Sequence, residues 1–131
     1  MIDRYTRPRM GNIWKSQVRY QAWLDVEIAV AESMAEDGTV PSEALAEIKQ
    51  KAGFSVERIE EIEAEVHHDV IAFLTNIEEN VGPASRFLHL GLTSSDVLDT
   101  SNALLLKKAA DILIEDVDQL LEALKKRAYE H

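Results

Sequence analysis

Apolar residues recur every three or four positions along most of this chain, and the gaps between runs carry helix punctuation. Trp14, Val18, Ala22, Val26, Ala29 and Val30 predict one helix from Asn12 to Asp37, with Gly38 as its stop. Pro41 opens a shorter helix, with Ala44, Leu45, Ile48 and Ala52 inward and Gly53 closing it. Ser55 is placed to cap a third. Its stripe of Ile59, Ile62 and Val66 is continued by Val70, Phe73 and Ile77 as far as Gly82-Pro83. A break is expected near His67, because Asp69 is a good N-cap residue and adjacent histidines are mediocre helix formers.

The last helix begins near Ser95 and runs to the end of the chain. Leu106, Ala109, Leu113, Val117, Leu120 and Leu124 form its apolar ladder. A helix of about 36 residues extends about 54 Å, more than the rest of the chain can cover. The ladder therefore needs partners, either in a coiled-coil dimer or in a larger bundle whose core several subunits share. No strand pattern or internal repeat interrupts the helices, so the expected class is all-α.

Composition narrows the chemistry. The 131 residues include no Cys, which removes disulfides, thiolate metal sites and a cysteine nucleophile together. A net charge of −10 argues against nucleic-acid binding, which draws its affinity from Lys and Arg on phosphates. The opening "MIDRYTRPRMGNIW" lacks the apolar region of a secretory signal, and no apolar run is long enough to span a bilayer. A cytoplasmic protein is the expectation. Three arginines, Arg4, Arg7 and Arg9, nevertheless crowd the first nine residues. They form either a solvated terminus or a local site for a small anion.

Two further clusters carry candidate chemistry. His67, His68 and Asp69 stand together at the expected break, where they serve acid/base work or anion binding, or simply cap and fill. Adjacent histidines on a helix point about 100° apart, so a shared metal ion is not expected there. In "HLGLTSSDVLDT", Thr93, Ser94, Ser95 and Asp96 precede the long helix, and His89 lies four residues upstream of Thr93. One cap needs one such residue. The surplus hydroxyls are either idle or bind something negative at a helix N-terminus.

Taken together and in order, "RYTRPRMGNIW", "EVHHDVIAF" and "HLGLTSSDVLDT" resemble the N-terminal part of the bacterial adenylosuccinate lyases, a family of the fumarase/aspartase superfamily. "GLTSSDVLDT" is the most specific piece, since the neighbouring carboxymuconate cycloisomerases tend to carry Ala-Thr-Ser-Gln-Asp there. The resemblance implies a carbon–nitrogen lyase of purine biosynthesis. It eliminates fumarate from adenylosuccinate, giving AMP, and from the succinocarboxamide ribotide, without a cofactor. It further implies a homotetramer with active sites built from three subunits. Residues 1–94 would then be an N-terminal helical domain, and residues 95–131 the first helix of a shared central bundle.

Residue by residue, the resemblance implies that Arg4 and Tyr5 contact the nucleotide phosphate, and that Thr93 and Ser94 bind the succinyl carboxylates. Asp96 acts as the cap. His68 with Asp69 assists the general acid, and His89 orients the substrate. His67 departs from the commoner pattern, which has Arg there, so a titratable ring replaces a permanent charge as substrate contact. The family's principal acid, in a Thr-His motif, and its serine base, on a Gly-Ser-Ser loop, have no counterpart in these residues. The chain is accordingly expected to be inactive alone. The competing readings are a non-catalytic helical module that self-associates, and another lyase of the same superfamily.

Overall fold

The computed structural model describes residues 2–130 and is helical almost throughout, with no strand among the described residues. A 3₁₀ turn (Asp3–Tyr5) leads into α1 (Pro8–Ile13) and α2 (Ser16–Glu36). These are followed by α3 (Ser42–Lys51), α4 (Val56–Val66), α5 (Asp69–Val81), a 3₁₀ segment (Gly82–Phe87) and the long α6 (Ser94–Glu130).

The single helix expected from Asn12 to Asp37 is two. Pro8 opens α1 at a first-turn position, and the chain then turns at Trp14 and the extended Lys15 before α2 begins. No Gly or Pro marks that turn. It forms because a short α1 can lie along α6, where Ile13 joins Ala22, Leu105, Ala109 and Ile112 in a small buried cluster. Arg7 reaches Asp116 and Arg9 reaches Glu115 from the same stretch. Trp14 and Ala29, expected inward, are exposed.

Helix α2 is the axis of the fold. Tyr20, Trp23 and Leu24 enter the main core with Ile48, Ile59, Ile62, Val70, Phe73 and Ile77, while Ala22 turns to the α6 side. Packing against α3 and α4 on one side and α6 on another buries most of its circumference, so no single stripe describes it. The aromatic centre is compact. Tyr20 stacks on Phe73 at 5.9 Å, and Trp23 meets both edge-on, at 5.0 Å from Tyr20 and 5.5 Å from Phe73. Gly38 stops α2 as expected, at a φ of 82° that side chains resist, and the Val40 amide returns to the Met34 carbonyl at 3.1 Å. Helix α3 ends at Lys51, short of Gly53.

The α4–α5 hairpin is pinned by polar contacts. The Ser55 hydroxyl accepts from the Arg58 amide at 3.2 Å, the cap foreseen from sequence. Buried Asn76 accepts from the Ser55 amide at 2.9 Å, and Arg58 crosses from α4 to Glu79 on α5. Ile59 and Ile62 are buried, but Val66, the last residue of α4, is exposed.

Helix α6 packs on α1 and α2 only over its first half, through Val97, Ser101, Leu105, Ala109 and Ile112. Ala109 thus faces inward. The rest of the expected ladder, Leu106, Leu113, Val117, Leu120 and Leu124, is uncovered, with Leu113 at 56% and Leu120 at 58% exposure. No helix of the described residues is long and apolar enough to cross a membrane.

Candidate active site

The sequence-derived site residues fall into three groups. In the first, Arg4 lies over the Tyr5 ring at 4.7 Å, and Tyr5 is 73% exposed. Of the arginines in the first nine residues, Arg7 and Arg9 pair with α6 carboxylates, Asp116 and Glu115. Glu115 is held below the usual carboxylate range, chiefly by its hydrogen bond from Arg9, and Arg9 is raised by the same contact.

The second group is the corner between α4 and α5. His67 ends α4 in the left-handed conformation at φ 54°, which is what breaks the helix. His68, rather than Asp69, is the N-cap of α5: its Nδ1 accepts from the Ile71 amide at 3.4 Å. Asp69 is the first helical residue, with Oδ1 3.5 Å from His68 Nδ1 and 2.7 Å from the Val70 amide. A negative charge in the first turn suits the helix dipole. Both histidines are exposed.

The third group lies where α6 begins. Thr93 precedes the helix, which starts at Ser94, one residue before the expected Ser95. Asp96 sits inside the first turn. Its Oδ2 accepts from the Thr93 amide at 2.8 Å, while the Asp96 amide donates to the Thr93 carbonyl at 3.0 Å. This reciprocal cap uses a carboxylate and leaves the hydroxyls out. Among the described residues the hydroxyls of Thr93, Ser94 and Ser95 and the amides of Ser94 and Ser95 have no hydrogen-bond partner. Thr93 is exposed and Ser94 half-buried. The surplus noted in the sequence is therefore physically available to a ligand.

His89 stands just upstream, also left-handed at φ 58°. His67 and His89 are the two non-glycine residues with positive φ among the described residues, and both are site candidates. Backbone strain of this kind persists where surrounding structure enforces it, commonly at functional sites. What enforces it at His89 is Glu27, which the sequence reading did not single out. The signal was there: Glu27 continues the Tyr20, Trp23 or Leu24, Ala31 spacing, so a charge stands on a core-facing stripe.

Within this chain no hydrogen bond or ion pair of the described residues links the three groups. Surface clefts among the described residues include the following, whose linings do not include His68, Thr93 or Ser94. An apolar one between α2 and α6 runs past Val26, Val30, Met34, Leu92 and Leu104. A mixed one lies between α5 and the 3₁₀ segment, and a third sits beside Tyr5 and Leu113.

Helical punctuation, hydroxyls with open amides at a helix start and two histidines at positive φ thus mark an all-α chain. Residues 3–131 match the family described as Lyase, and the chain belongs to it. Over its whole length it is similar to the adenylosuccinate lyases of Synechocystis sp. (56% identical), Aquifex aeolicus (46%) and Bacillus subtilis (44%). It spans only about 30% of the length of each. Among solved structures, a 3-carboxy-cis,cis-muconate lactonizing enzyme from Pseudomonas putida aligns over 97% of this chain and 31% of its own, at 30% identity and TM-score 0.83. A fumarate lyase from Mesorhizobium sp. BNC1 aligns over 93% of this chain and 30% of its own with TM-score 0.85; at 22% identity it speaks for the fold alone.

Proposed function

We propose that this chain is the N-terminal portion of an adenylosuccinate lyase, which eliminates fumarate from adenylosuccinate to give AMP and from the succinocarboxamide ribotide. The observation that carries the reading is similarity along the entire chain to relatives that bear that name, at up to 56% identity. The α6 start supplies matching chemistry. Removing a proton beside a carboxylate loads extra negative charge onto that carboxylate in the intermediate. Preorganised donors aimed at developing charge are usually the largest catalytic contribution. The Thr93 and Ser94 hydroxyls, the open Ser94 and Ser95 amides and the positive end of α6 are such donors.

In this reading Arg4 and Tyr5 hold the nucleotide phosphate, His67, His68 and Asp69 line the substrate with His68 assisting the general acid, and His89 orients it. No cofactor takes part. Residues 1–94 form the N-terminal domain and 95–131 the first helix of a bundle shared by four cytoplasmic subunits. That no hydrogen bond or ion pair of the described residues links the three groups fits a site completed by neighbouring subunits, and the bare half of α6 fits a bundle.

The test is turnover of adenylosuccinate by the full-length protein, followed by fumarate release. Thr93→Ala and Ser94→Ala should each lower kcat on the order of 10²-fold, the usual cost of removing one such donor. Absence of turnover by the wild-type protein would refute the reading.

A further inference from the structure

Glu27 places its carboxylate on the α2 face that also holds Tyr20, Trp23, Leu24 and Ala31, and it is 1% exposed. A buried carboxylate is costly unless paired and hydrogen-bonded, so its partners indicate what it is for. Both oxygens go to one residue. Oε2 accepts from the His89 backbone N–H at 2.6 Å, and Oε1 lies 2.6 Å from His89 Nδ1. An ionised carboxylate can only accept, so opposite a Glu27 carboxylate it is Nδ1 that carries the proton. The amide contact ties down a residue at φ 58°, while the ring contact fixes the imidazole's rotation and tautomer together. His89 Nε2 has no partner, and no buried side-chain nitrogen or oxygen lacks one among the described residues, so Nε2 opens to solvent.

We propose that Glu27 is a positioning residue, which holds His89 in its Nδ1–H form with Nε2 turned outward as the ring atom that meets substrate. The tautomer half stands on this geometry with Glu27 as the carboxylate, independently of the proposed function. The substrate half rests on the reading given under Proposed function. In the neutral ring Nε2 then offers a lone pair, and in the imidazolium a second N–H, always from the same place.

Glu27→Gln separates this role from simple packing, because it preserves shape and removes the acceptor-only character. If the Gln oxygen keeps the His89 amide, its NH₂ faces Nδ1 and forces the proton to Nε2. Proton–nitrogen correlations of the His89 ring, at a pH where imidazole is neutral, read this directly in the 131-residue chain. Wild type is expected to show Nδ1–H and Glu27→Gln to show Nε2–H or an averaged ring. An Nε2–H ring in the wild type would overturn the proposal even if the variant failed to fold, and so would an unchanged Nδ1–H ring in the variant. In the full-length enzyme Glu27→Gln should lower kcat/KM by roughly 10-fold or more, the scale known for carboxylates that orient metal-bound histidines. A flipped tautomer with undiminished kcat/KM would overturn the substrate half. A wild-type enzyme without turnover would sink the lyase reading instead, leaving the tautomer result intact.

Discussion

Thr93 and Asp96 close on each other across the first turn of α6: the Thr93 amide donates to the Asp96 carboxylate at 2.8 Å and the Asp96 amide to the Thr93 carbonyl at 3.0 Å. The acid does the capping, so the neighbouring hydroxyls are released from it. Asp96→Ala should therefore cost about 1 kcal/mol, as loss of a capping interaction does. That corresponds to a Tm lower by about 4 °C, measured by circular dichroism. Ser95→Ala should leave Tm in place, since that hydroxyl caps nothing. The reverse pattern would reassign the cap.

Arg58 bridges α4 and α5 through Glu79, and the hydrogen bonds from Arg58, then from Asn76, hold the Glu79 carboxyl below its ordinary value. The folded chain thus binds fewer protons there than the unfolded one. The contribution is complete above the ordinary glutamate pKa of about 4.3 and is lost as pH falls through the lower folded value. Glu79→Gln should lower Tm near neutrality and make the fall in Tm between about pH 5 and about pH 3 shallower than in wild type. Parallel Tm-against-pH curves would contradict the assignment.

His68 has a structural duty as well as a proposed chemical one, and two substitutions separate them. His68→Ala removes both, whereas His68→Asn keeps a good N-cap residue. In the full-length enzyme both should lower kcat on the order of 10²-fold, the scale of lost acid/base assistance. Only His68→Ala should lose about 1 kcal/mol of stability. Full kcat in both variants would leave His68 a cap and nothing more.

Arg4→Ala in the full-length enzyme should raise KM more than it lowers kcat. In the proposed role Arg4 holds a phosphate remote from the breaking bond, equally in ground and transition states, and such uniform binding shows in KM. A large loss of kcat at constant KM would remove Arg4 from that role.

The isolated 131-residue chain should self-associate through the bare half of α6, because an apolar stripe of this length seeks cover. Sedimentation should find a dimer or tetramer, and Leu113→Lys with Leu120→Lys should return it to monomer. The same chain should release no fumarate. Elimination needs a base for the carbon-bound proton and an acid for the departing nitrogen, and His68 supplies at most part of that pair. A wild-type monomer, or turnover by this chain, would contradict the respective half.

Much of the fold was legible because helix signals are local. The Ser55 cap, the Gly38 stop, the break at His67 and the start of α6 all depend on side chains within a turn of the backbone they serve. The hydroxyl and histidine clusters were legible for a similar reason, since residues in excess of capping needs stand out in a linear string, whereas the roles proposed for them come from the family resemblance. The α1–α2 turn at Trp14 was not, because its favourable contacts are with α6, about a hundred residues away. Nor was the cap at His68, where a ring nitrogen does what Asp69 was better suited to do on propensity.

By itself, then, the sequence determined an all-α chain, several of its helix ends and an apolar ladder on α6 of which this chain covers only Ala109. Tertiary structure alone decided which faces those helices bury, which arginines the α6 carboxylates consume, and that Glu27 meets His89. The physical reason is distance along the chain. Helix formation and capping are settled over three or four residues, whereas burial and pairing of charge depend on which segments the packed core brings together.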